Sequence, residues 1–191
     1  MNLTKLFKTQ AALDEHIMQE HPELRGQNNL DWKLLALQVE LGECANEWRG
    51  FKKWSKDQEP RIYKKETHYV DVPTDNPNWI ERKDIGKVRN PLLEEYVDCL
   101  QFILTIGLEI GVEEEIDWED ITTDESNITR QFLEITERIL ELNQWENKDS
   151  WQELFEEFYL LGKLLGFTWE QIEAAYFEKN KVNHERQNAG Y

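Results

Sequence analysis

Two pairs of carboxylates, Glu40-x-x-Glu43 and Glu95-x-x-Asp98, are the residues whose type and spacing suit chemistry in this chain. Three residues apart on a helix, the members of each pair share one face. Like charges held that close repel, and where water is excluded they need cations or protons to persist. Oxygen donors, with no His in either motif and with the neighbouring Cys44 and Cys99 reading as core thiols, suit magnesium rather than zinc. Magnesium keeps waters and phosphate oxygens in its shell. The chemistry implied is metal-assisted attack of water on a phosphoanhydride.

A phosphate chain also needs donors, and the C-terminal segment AYFEKNKVNHERQNAGY supplies them. Lys179, Asn183 and Arg186 are spaced four and three apart and share a helix face. Arg offers a planar fork and Lys a point charge. Taken alone, this tail reads as a solvated helix end whose basic bias complements its dipole. The carboxylate pairs, taken together with it, favour the phosphate reading. A terminal polar segment has little apolar area to hold it, so residues 179–191 are expected to order only around a triphosphate.

The elements that position these groups are helical. Residues 32–54, WKLLALQVELGECANEWRGFKKW, read as one helix on which Glu40, Glu43 and Glu47 fall within roughly 60° of each other. Leu37, Leu41, Cys44 and Trp48 border this acidic line on one side, and Trp32, Leu35 and Val39 on the other. Residues 91–110 form a second helix, apolar on most of its circumference and therefore central, with proline in its first turn. Packed antiparallel, the two helices aim four carboxylates into one pocket. Further helices are expected over 3–20, 126–144, 150–165 and 169–187. Capping boxes are expected at Asp149–Gln152 and Thr168–Gln171. Residues 56–90 hold three prolines and an alternating patch, Tyr69-Val70-Asp71-Val72, and read as a non-helical or small β insert between core helices. The acidic stretch after Gly111 reads as a linker. The fold class is all-α, one domain over residues 1–191 with an insert at 56–90.

Composition bounds the partners. A net charge of −17 sets the chain against a nucleic-acid duplex. Twelve per cent aromatics, eight of them Trp, argue for a packed core. No apolar run spans a membrane, and the N-terminal residues lack a signal-peptide core, so a cytoplasmic protein is expected. Cys44 and Cys99 fall in apolar helices and read as reduced core thiols.

The segments VELGECANEWRGFKKWS (39–55), LLEEYVDCLQF (92–102) and YFEKNKVNHERQNAGY, with LFKTQAALDEHI in the first helix, resemble the dimeric all-α dUTPases. These are relatives of the MazG-like nucleoside triphosphate pyrophosphatases. The resemblance implies an all-α pyrophosphatase bundle, Mg²⁺-dependent hydrolysis of dUTP to dUMP and pyrophosphate, and a homodimer; dUDP stays open as a further substrate. It assigns Mg²⁺ ligation to Glu40, Glu43, Glu95 and Asp98, with Glu40 and Glu43 also in the catalytic role. It places Lys179, Asn183 and Arg186 at the phosphates, Phe102 against the deoxyribose and Gln10 at the uracil. Two departures stand out. Fifty-one residues separate Glu43 from Glu95, far more than in compact relatives, so the insert must loop out. Near Gln10 the polar partner is Asp14, where some members present an amide. Two other readings stay open: a related pyrophosphatase for dCTP or a modified nucleotide, and a non-catalytic helical interaction module.

Overall fold

A computed structural model describes residues 3–73, 79–112 and 127–190. Six α-helices lie in these residues: α1 (Thr4–Glu20), α2 (Leu30–Trp48), α3 (Pro91–Glu109), α4 (Ile128–Trp145), α5 (Lys148–Leu164) and α6 (Trp169–Asn188). The fold is all-α. A 3₁₀ turn at Pro22–Leu24 joins α1 to α2. The expected linker after Gly111 falls mostly outside the described residues.

The central helix is α3, as its all-round apolar sequence requires. It packs against α1, α2, α5 and α6, and Val97, Ile103, Leu104 and Ile106 are all fully buried on it. Two buried aromatics lock it to α5. The Trp151 indole donates to the Ile103 carbonyl at 2.8 Å, and the Tyr96 hydroxyl donates to the Phe158 carbonyl at 3.0 Å. These bonds satisfy polar atoms that burial would otherwise strand. Glycine is required where Tyr96 meets α5: a Cβ on Gly162 would lie 2.5 Å from the Tyr96 hydroxyl.

Helices α2 and α3 run antiparallel, as expected. Lys33 meets Glu109 at one end at 2.6 Å, and Cys44 and Cys99 lie buried and unbridged further along. Only one of the two apolar arcs on α2 is buried within the chain. Leu37, Leu41 and Cys44 are in the core, whereas Trp32, Leu35 and Val39 are 43, 62 and 52% exposed. The helix also ends earlier than its sequence suggests. Arg49 turns left-handed at φ 65°, and its guanidinium donates to the Asp57 carbonyl from Nε and from Nη2 while pairing with the Asp57 carboxylate. A buried cation with a fixed set of acceptors outweighs the helical propensity of residues 49–54.

The insert is a ribbon of short antiparallel strands. β2 (Tyr69–Pro73) pairs with β3 (Ile80–Asp84), and β1 (Lys64–Lys65) pairs with β4 (Val88–Arg89) below it. The alternating patch is therefore a strand. Arg61 closes the stem: its N–H donates to the Glu47 carbonyl at the end of α2, and its carbonyl accepts from Leu92 at the start of α3. The insert loops out while the two core helices stay in register.

Two helix starts test the capping expectations. Thr168 and Gln171 form the expected capping box on α6. On α5 the cap is Asn147, which accepts from Ser150, so the helix begins ahead of the expected Asp149 box. Asparagine accepts the orphan N–H as well as Asp or Ser does, and the two signals compete two residues apart.

Candidate active site

The antiparallel pair brings the acidic motifs together. Glu40 on α2 and Glu95 and Asp98 on α3 each place one carboxylate oxygen so that all three lie within 4.8 Å of one another. All three side chains are half-buried. Burial, together with the charges of Asp98, Glu43 and Glu95, pushes Glu40 up to about 7. Burial and the charges of Asp98 and Glu43 do the same to Glu95, also to about 7. Asp98 is raised by burial as well, against the pull of Lys179. Three hard oxygens on rigid helices, with their negative charge incompletely compensated, fit a divalent cation of the magnesium or calcium type.

Glu43 is placed differently. It is exposed at the rim of the group and acts on Glu40 and Glu95 through its charge. Glu47, one turn further on α2, pairs with Arg61 of the insert stem at 3.2 Å.

A cavity of about 620 Å³ opens beside these carboxylates, walled by α1, α2, α3 and α6. Helix α6 carries the expected donors into it. Lys179 Nζ lies 2.5 Å from Asp98 Oδ2, and the Asn183 amide donates to Gln101 Oε1 at 2.9 Å. Arg186 lines the same wall and lowers the Asp98 pKa through its charge. The segment 179–188 is helical and tied to α3 by these contacts. Two further contacts hold α6 to α1. His16 and His184 face each other Nδ1 to Nδ1 at 2.8 Å, one donating and one accepting. The Tyr176 hydroxyl lies 3.0 Å from Gln10 Oε1 and 3.2 Å from the Leu6 carbonyl.

Phe102, one turn beyond Asp98, is partly buried and lines the cavity between the carboxylates and its far end. Gln10 also lines it but is only 3% exposed, and its amide is engaged at both ends, by Asp14 and by Tyr176.

Several lining residues escape sequence reasoning. Gln101 is buried and lines the cavity, and among the described residues its Nε2 has no hydrogen-bond partner. Its place one turn after Asp98 was the available signal. Trp32 and Lys33 on α2, and Thr105 and Glu109 on α3, converge on the far end. They lie on different elements, and no local spacing marks them as neighbours.

The sequence model of a family described as dUTPase matches residues 2–73 and 79–191. No match to the chain is found among curated proteins.

Proposed function

The chain belongs to the all-α dUTPase family, and on that premise we propose that it hydrolyses dUTP to dUMP and pyrophosphate with magnesium as its cofactor. The observation that carries this reading is the group of Glu40, Glu95 and Asp98, opening onto a cavity whose opposite wall bears Lys179, Asn183 and Arg186. Glu40, Glu95 and Asp98 would hold the magnesium, with Glu43 joining from the rim. When bound, magnesium polarises the phosphoanhydride oxygens and offsets their charge.

The chain's own residues do the rest. Glu40, fixed on α2 beside Glu95 and Asp98, receives the proton of the attacking water as general base. Glu43 supports it through charge. Lys179 exchanges its contact with Asp98 for a phosphate oxygen, and Arg186 forks onto the chain beside it. Asn183, held by Gln101, fixes that wall. Phe102 packs on the deoxyribose and leaves a ribose 2′-hydroxyl without a partner.

The active form is a homodimer. Trp32, Leu35 and Val39 form an exposed apolar row on α2, and such a row on a helix that also builds the site is best buried against a second copy. The molecule is one domain whose insert projects from the α2–α3 junction. Among the described residues no helix is long and apolar enough to cross a membrane. Two buried free thiols fit a reducing compartment, and we place the protein in the cytoplasm.

Calorimetry tests the metal assignment. Magnesium and a non-hydrolysable dUTP analogue are expected to bind wild type cooperatively and Asp98→Asn weakly. Equal metal-dependent binding in both proteins would overturn the ligand set.

A further inference from the structure

The insert between α2 and α3 is the part of the chain that the hydrolytic reading leaves without a task. Its charge differs from that of the bundle. Residues 60–73 and 79–90 hold seven Lys and Arg against four Asp and Glu, whereas the whole chain carries −17. A cationic ribbon is thus set on a strongly acidic body.

The apolar side chains of the ribbon face solvent. Tyr63, Tyr69, Trp79, Ile80 and Val88 are each more than half exposed. β1, β3 and β4 are exposed along their whole length, and each strand pairs with a single neighbour. A two-stranded ribbon alone in water is at best marginally stable, and clustered exposed apolar groups mark a contact surface. The base of the ribbon is firmly placed. Besides its backbone bonds to Glu47 and Leu92, Arg61 pairs through its guanidinium with the Glu47 carboxylate.

Two observations select the occupant of this surface. The first is charge: a ribbon richer in Lys and Arg than in Asp and Glu complements an acidic protein surface, and the bundle of this same chain is one. The second is continuity with the row on α2. Beyond Val39 the same helix face runs through Gly42 and Asn46, both exposed, and reaches the stem at Glu47. Val39 and Glu47 are about 12 Å apart along the helix axis. The segment 64–73, extended as in its strands, spans roughly 30 Å. A second copy seated on the α2 row therefore lies beside the stem and within the length of the ribbon.

We propose, resting on the dimer reading, that the ribbon is an arm that crosses to the second copy and lies on its acidic bundle. Its exposed rings pack on the helices of that copy, and its Lys and Arg face their carboxylates. The dimer is then held at two places, the apolar row of α2 and the ribbon. Each copy carries −17, and the arm brings its cations to where that repulsion opposes assembly.

The test is sedimentation equilibrium of wild type and two variants, with circular dichroism to confirm that each variant is folded. In the first, residues 66–87 are replaced by Asn-Gly, a turn that joins Lys65 to Val88 across the existing β1–β4 pair. The second combines Lys64→Glu, Lys83→Glu and Lys87→Glu, all at exposed positions. The dimer Kd is expected to rise roughly tenfold or more in each. Should the shortened chain not fold, the triple variant, which changes exposed side chains alone, decides. An unchanged Kd in the folded variants overturns the arm and leaves the α2 dimer standing. A wild-type chain that stays monomeric overturns both. Carbodiimide, which joins amines to carboxylates directly, is applied beside this to mixed ¹⁵N-labelled and unlabelled protein. Cross-links from ribbon lysines of one copy to bundle carboxylates of the other are expected; cross-links confined to one copy would contradict the arm. A single-stranded oligonucleotide that binds wild type and not the shortened chain, with the dimer unaffected, would assign the ribbon to nucleic acid and overturn the proposal.

Discussion

Glu40 and Glu95 hold protons at a pH where exposed glutamates have released them, and this has consequences for stability as well as catalysis. Their pKa rises from the ordinary 4.5 to about 7 in the folded chain. Between those values the folded state binds protons that the unfolded state has lost, so stability falls as pH rises through the window. A divalent cation replaces those protons. Magnesium should therefore raise the melting temperature more above pH 7 than within the window, which thermal unfolding with and without magnesium checks. Asp98→Asn removes one repelling charge and one ligand. It should unfold at a higher temperature than wild type without metal and lose at least ~100-fold in kcat; near wild-type turnover would refute the ligand assignment. Phe102→Ala should narrow the dUTP-over-UTP preference by roughly tenfold, because the penalty on an unpaired buried hydroxyl is of that order. Equal slowing of both substrates would make Phe102 ordinary packing.

Between residues and fold, local signals were legible and partnerships were not. The spacing of Glu40, Glu95 and Asp98 and the all-round apolarity of α3 were enough to place three carboxylates on two packed helices. Nothing local shows that Glu43 stands at the rim, since it shares its helix face with Glu40. Periodicity also marks the two apolar arcs of α2 equally, although only Leu37, Leu41 and Cys44 find partners within the chain. The end of α2 depends on Arg49 meeting Asp57 across a turn, and the Asp14–Thr105 contact joins residues ninety-one apart. Such contacts are properties of assembled helices. The α3–α5 contact gives an element-scale prediction. Gly162→Ala forces a methyl against the buried Tyr96 ring and should cost about 1–3 kcal/mol. Chemical denaturation measures it, and an unchanged midpoint would show that the helices can separate without cost.

At the scale of the molecule, the exposed row on α2 and the acidic surface act together. A net charge of −17 keeps copies apart unless apolar contact offsets the repulsion, and the exposed Trp32, Leu35 and Val39 are where the proposed dimer would find that contact. Leu35→Glu should convert a dimer to a monomer in sedimentation experiments, while a wild-type monomer would contradict the dimer. The stem of the insert is clamped at Arg61 and its described strands are largely exposed, while the residues that line the cavity belong to the core bundle. As proposed, this bundle is a magnesium-dependent enzyme that cleaves dUTP between its α and β phosphates. The most direct test is to identify the products formed from dUTP, dCTP, dTTP and UTP with magnesium and with a chelator. The expected products are dUMP and pyrophosphate from dUTP, in preference to the others and only with the metal. Formation of dUDP and phosphate, or equal turnover with a chelator present, would contradict it.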